Sequence, residues 1–159
     1  MARFIRSWTG VCVPLLAVLV LPACSSPPDQ AAGQSKTATD AEFTREATDF
    51  AEIVLPPNAT VLRVHSESFA GTYYQLAVSM APVDAATLIR ESHFTGQLHI
   101  LPAATYPKTL AGPDLASSPS VVSAQDRIIT SRGKAVYRTI TIDERDAATR
   151  IVHLELLTN

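Results

Sequence analysis

Apolar side chains recur along this chain at two different periods, and the first regular stretch past residue 40 is helical. Phe43, Ala47, Phe50 and Val54 follow i, i+4, i+7, i+11 spacing, Thr39 with Glu42 has the form of a capping box, and Pro56-Pro57 closes the stretch. Period two then takes over. Leu62 and Val64 alternate with Arg63 and His65, and beyond Gly71 the run Tyr74, Leu76, Val78, Met80 alternates with Tyr73, Gln75, Ala77, Ser79, which predicts a hairpin with one buried face. Asp84 is placed to cap a second short helix carrying Ala85, Leu88 and Ile89, with His93 near its end and Gly96 as its stop. Val136, Ile140 and Ile142, then Val152, Leu154 and Leu156 beyond the turn DERDAAT, predict a second hairpin. Gln97–Leu101 offers a further strand, and Asp126–Ser131 admits two readings, a helix capped by Ser123 and Asp126 or, favoured by Ile128, Ile129 and Thr130, a strand ahead of a turn at Arg132-Gly133. Residues 102–123 hold four prolines and no period, and read as a long loop with too few apolar side chains to pin it.

Two helices cannot cover two sheets, so the expected class is α+β: one antiparallel sheet of four to five strands with both helices on one face. Its core would hold Leu62, Val64, Leu76, Val78, Ile140, Leu154 and Leu156, and alternation would send Arg63, His65, Tyr73, Gln75, Tyr137, His153 and Glu155 to the other face. Tyrosines beside hydrogen-bonding neighbours on a rigid sheet suit recognition, so those seven residues form the candidate binding set.

Composition narrows the class further. The chain has 159 residues, 47% hydrophobic and 18% charged, with a formal net charge of −2. That is too apolar for a disordered chain, and without a basic block it has no electrostatic footprint for nucleic acid.

The first 24 residues differ from the rest. Arg3 and Arg6 precede an uncharged, mostly apolar run from Val11 to Ala23, and a helix of those 13 residues reaches only about 20 Å, short of a roughly 30 Å hydrocarbon core. Leu21-Pro22-Ala23-Cys24 resembles the lipobox of bacterial lipoproteins. The resemblance implies a signal peptide over 1–23, a diacylglyceryl group on the Cys24 thiol with palmitate-type chains, and a protein anchored on the outer, extracytoplasmic face of the cell membrane. Read alone, Ala23-Cys24-Ser25 would also pass as a small-x-small site of ordinary secretion. Residues 24–40 then read as the lipidated cysteine and a polar tether, spanning on the order of 20–25 Å if coil-like, and 41–159 as the globular domain. Removal of 1–23 leaves 11 basic and 15 acidic side chains, so attachment falls to the acyl chains. The stretches Leu55–Leu62 and Arg90–Phe94, and the use of 10 Arg against 3 Lys, resemble small lipoproteins of high-GC Gram-positive bacteria. That resemblance implies a location and no activity.

Catalytic patterns are weak throughout. Cys12 falls in the signal run and Cys24 would carry lipid, which removes disulfides, thiol nucleophiles and cysteine metal sites together. His65, His93, His99 and His153 form no H-x-x-x-H or H-E-x-x-H pair, so no metal or other cofactor is expected. Ser131-Arg132-Gly133-Lys134 has the S-x-x-K spacing of acyl-transfer enzymes but sits at a turn before a strand, without the companion elements. Asp143, Glu144 and Asp146 read as solubilising turn residues. The expectation is therefore a non-catalytic binding or accessory domain for an envelope protein or cell-wall component. The alternative is a small cell-envelope hydrolase that uses a histidine with Ser or Asp.

Overall fold

In the computed structural model, which describes residues 34–158, Asp40 rather than Thr39 starts the first helix: its Oδ1 accepts from the Phe43 amide at 2.7 Å. The signal and lipidation expectations, Cys24 included, lie outside the described residues. Helix α1 (Ala41–Phe50) buries Phe43 and Ala47, as the spacing predicts. It stops before Val54, because Glu52 takes a left-handed turn (φ 53°) and Val54 leaves exposed. Helix α2 (Pro82–Glu91) starts two residues ahead of Asp84, since Pro82 fits the first helical turn, where its missing N–H costs nothing. Its stop lies at Ser92 and His93, the latter with φ 52°, so Gly96 has a different task. A Cβ at Gly96 would lie 2.1 Å from the Gln125 carbonyl oxygen, and only glycine lets these backbones approach so closely.

The described residues form one antiparallel sheet of seven strands: β1 (Gln34–Ala38), β2 (Thr60–Ser68), β3 (Thr72–Met80), β4 (His99–Ile100), β5 (Val121–Ile129), β6 (Ala135–Asp143) and β7 (Arg150–Leu157), ordered β1-β2-β3-β7-β6-β5-β4. The class is α+β with two helices and a single antiparallel sheet, but four to five strands was too few. The surplus comes from the edge strand β1, and from Gln97–Leu101 and Asp126–Ser131 both contributing a strand. β1 falls within the stretch expected to be tether, and its side chains are mostly exposed. An edge strand needs only backbone pairing on one side, so its sequence carries no apolar period. The expected strand within Gln97–Leu101 shortens to two residues, and Asp126–Ile129 is strand.

Both helices pack on one face of the sheet around Val64, Leu76, Val78, Ile140, Leu154 and Leu156. Leu62 is a correction. The pairing slips between Val61 and Arg63, a bulge after which Val61, itself half-buried, packs against the core in place of Leu62.

The polar residue Arg138 stands in this apolar face and is 1% exposed. Its Nε and Nη2 grip both oxygens of Asp126 at 2.8 and 2.6 Å. Nη1 donates to the carbonyls of Ala51 and Ser92, Nη2 to that of His93, and the guanidinium lies 4.3 Å from the centre of the Phe94 ring. One side chain thus satisfies the frayed C-terminal ends of both helices, where carbonyls lack partners and the dipole favours a cation. Burial alone would raise the Asp126 carboxyl, but hydrogen bonds from Arg138 and Thr95 outweigh it and hold it below the usual carboxylate range.

Candidate functional site

Strand pairing arranges the face opposite the helices in rows. At one end Glu67, Tyr73, Leu157, Tyr137 and Arg127 stand side by side on β2, β3, β7, β6 and β5. The next row runs Thr37, His65, Gln75, Glu155, Thr139, Gln125, and the third Arg63, Ala77, His153, Thr141, Ser123. All seven candidate residues do lie on this face, but its rows are covered unequally.

The cover is the segment 101–120, since residues 121–123 of the expected 102–123 loop belong to β5, and here the expectation of a loosely held loop fails. Leu115 is fully buried, and Gly112 lies over the Ile151 side chain. Asp143, buried rather than solubilising, accepts from Ser118 Oγ and Arg145 Nε at 2.6 Å each, while Arg145 also donates to Ser117 Oγ and the Asp114 carbonyl. Apolar contact from one leucine and a buried carboxylate hold a strap that its proline content does not reveal. Pro107, Lys108 and Leu110 lie over Gln75, His153 and Glu155.

His153 is a further correction. It faces away from the core as expected, yet the strap leaves it 7% exposed, with neither ring nitrogen hydrogen-bonded. Burial lowers its pKa, opposed by the charge of Asp143, so the ring is neutral at pH 7.

Beside the strap opens a groove of about 430 Å³ whose lining includes Thr37, Arg63, His65, Gln75, Lys108 and Leu110. Its floor is hydrogen-bonded. His65 Nδ1 is 2.7 Å from Thr37 Oγ1 and Nε2 is 2.9 Å from Glu67 Oε1, a chain that pins edge strand β1 to β2. Gln75 Nε2 donates to Glu155 Oε1 at 3.2 Å, and Tyr73 donates its hydroxyl to the same oxygen at 3.3 Å. Burial, then the Glu155 carboxylate, pushes the Tyr73 phenol up, which keeps it a donor. Arg63 and Lys108 place two cationic side chains on the rim, from a strand and from the strap. The structure thus brings Arg63, His65, Gln75, Glu155 and Tyr73 into one neighbourhood. Tyr137 lies two strands from Tyr73, beside Arg127 and Lys134 at a separate hollow of about 420 Å³. None of His65, His153 and Glu155 has a serine hydroxyl as a hydrogen-bond partner.

Ser131–Lys134 is a turn, with Gly133 at φ 74°. Among the described residues no group of three His, Cys, Asp or Glu side chains is arranged to hold a metal. Lys108 and Leu110, which complete the groove, lie in the strap and have no period to mark them. Arg138 was more accessible to sequence, because it occupies the apolar register between Val136 and Ile140, opposite Asp126 across the hairpin.

No protein-family model, curated protein or solved structure matches the chain.

Proposed function

We propose that the chain is a lipoprotein anchored through Cys24 on the extracytoplasmic face of the cell membrane, and that its domain binds an envelope component in the groove between the strap and β1–β3 without covalent chemistry. The observation that carries the binding reading is the composition of that groove. Two cationic side chains, Arg63 and Lys108, outnumber the one carboxylate of the lining, Glu67, and the floor is fixed by the Thr37–His65–Glu67 chain and by Gln75 bonded to Glu155. A floor of side chains already fixed by one another loses little entropy on binding, and cations on the rim favour an anionic partner.

A photo-crosslinking side chain at Thr109, on the groove rim, tests this in native membranes. The expected outcome is a discrete adduct at position 109 that is reduced at least tenfold by Arg63→Ala, with the same probe at Val83 on α2 giving none. Equal labelling at 109 and 83 would rule the groove out. Intact mass of the membrane-extracted chain tests the anchor: it should begin at an acylated Cys24 and lack Trp8, and a free thiol at Cys24 would overturn it.

The hydrolase reading draws on one observation, the Thr37–His65–Glu67 chain, whose connectivity is that of hydroxyl, imidazole and carboxylate. It expects an acyl-type active-site probe to label Thr37, and the binding reading expects no label there.

A further inference from the structure

We propose that the end of the domain formed by the β2–β3 and β5–β6 turns rests on the bilayer surface, with Phe69 among the lipid headgroups and Arg132 and Lys134 against lipid phosphates. The proposal rests on the Cys24 anchor; it concerns how the anchored domain is oriented, which the anchor alone leaves open.

Pairing fixes which features share an end. Gln34 opposes Ser68, Ser68 opposes Thr72, Tyr73 opposes Leu157, and Leu157 opposes Tyr137. The first residue of β1, the turn at 69–71, the last residue of β7 and the turn at 130–134 therefore lie at one end of the sheet. Phe69 is there, 82% exposed, the most exposed large apolar side chain among the described residues. Its neighbours Ala70 and Gly71 are uncharged, Ile129 is exposed at the same end, and Arg132 and Lys134 project from the β5–β6 turn. Three acids share this end and each has a partner: Glu52 accepts from the Ser131 amide at 2.6 Å, Glu67 is bonded to His65, and Asp49, which lines one hollow with Arg132 and Lys134, pairs with Arg45. The opposite end carries Asp143, Glu144 and Asp146 at the β6–β7 turn and Asp114 in the strap against Arg145 and Arg150, which pair with Asp143 and Glu144, so its balance is acidic, a sign that an anionic leaflet repels. An exposed aromatic ring with basic side chains at the same end of the sheet is the chemistry of a membrane interface.

Chain length supplies the second argument. Ser25–Gln34 is ten residues, which reach at most about 35 Å when fully extended. Strands of nine residues are about 30 Å long. The leash joins the sheet at the Phe69 end, so the far end meets the bilayer only if the leash is drawn almost straight. A short leash also keeps weak interfacial contacts at high effective concentration. With the strands standing off the membrane, the groove faces sideways, toward neighbours in the same leaflet.

The test uses the full chain with Trp8→Phe, so that a tryptophan placed by substitution is the only one. Phe69→Trp and Val83→Trp versions, the latter on α2 at the far end and 70% exposed, are extracted from membranes and reconstituted into phosphatidylglycerol–phosphatidylcholine vesicles with brominated acyl chains. Expected is a blue-shifted emission at 69 that brominated lipid quenches at least twofold, with position 83 quenched only by aqueous iodide. In Arg132→Gln/Lys134→Gln the quenching at 69 should fall by half or more. Equal iodide quenching at both positions overturns the proposal, and so does a blue-shifted 69 that bromine leaves untouched, which would place protein on the tip. Intact mass of the same samples reports the anchor independently. An acylated Cys24 with a water-exposed residue 69 sinks the orientation alone, whereas lipid quenching at 69 with a free thiol sinks the anchor and leaves the interfacial end standing.

Discussion

Arg138 joins pieces of chain far apart in sequence: Ala51 after α1, Ser92 and His93 after α2, and Asp126 on the neighbouring strand. Removing one member of a buried ion pair costs about 3–5 kcal/mol, because the other charge is left without a partner. Arg138→Met should therefore lower the urea midpoint by an amount equivalent to that loss. In many proteins an apolar replacement of both partners recovers the stability, but here three carbonyls also depend on the guanidinium, each costing about 1 kcal/mol or more when orphaned. Arg138→Met/Asp126→Leu is expected to recover less than half of the loss, and full recovery would mean that the carbonyls find other donors. Alternation along β6 already shows where this side chain points. What it does not show is that two helix ends converge there, since that depends on where α1 and α2 stop, and their stops are set by left-handed residues at Glu52 and His93 rather than by proline or glycine.

The strap is the element whose behaviour departs furthest from its composition. Four prolines and the lack of period describe its backbone correctly, as it has only two short 3₁₀ turns. They do not register that Leu115 is buried or that Asp143 and Arg145 tie it down from another hairpin. Leu115→Ala removes the apolar anchor at an expected cost of about 2–5 kcal/mol, spent first on local opening. Trypsin cleavage at exposed Lys108 should then accelerate at least tenfold while the strand sites Arg138 and Arg150 remain protected. Equal rates in both proteins would show that the charged ties suffice. Central strands, by contrast, were legible at nearly full length, because burial on one face forces an alternation that any sequence must display. Of the candidate site, the residues on strands were legible by the same rule, while Lys108 and Leu110 were not.

At the scale of the whole molecule, one imidazole sets how stability answers to pH. His153 titrates below the ordinary histidine value of about 6.5 when folded, so the unfolded chain takes up its proton first. Stability is full above pH 6.5 and is lost as pH falls through 6.5 toward the lower folded value. His153→Leu should flatten that loss, seen as a smaller drop in Tm between pH 7.5 and 5.5, and should cost little at pH 7.5, since the ring nitrogens have no partners to lose. An unchanged slope would assign the acid sensitivity to other groups, Asp126 first among them, whose depressed carboxyl gives the same sign at lower pH. The strand order has a consequence in time as well. β7 is the last of the seven strands to emerge from the ribosome or from an export channel, yet it sits in the middle, bonded to β3 on one side and β6 on the other. Without β7 the runs β1–β2–β3 and β6–β5–β4 have no strand to join them. Closure of this core therefore waits for the strand that is made after all the others.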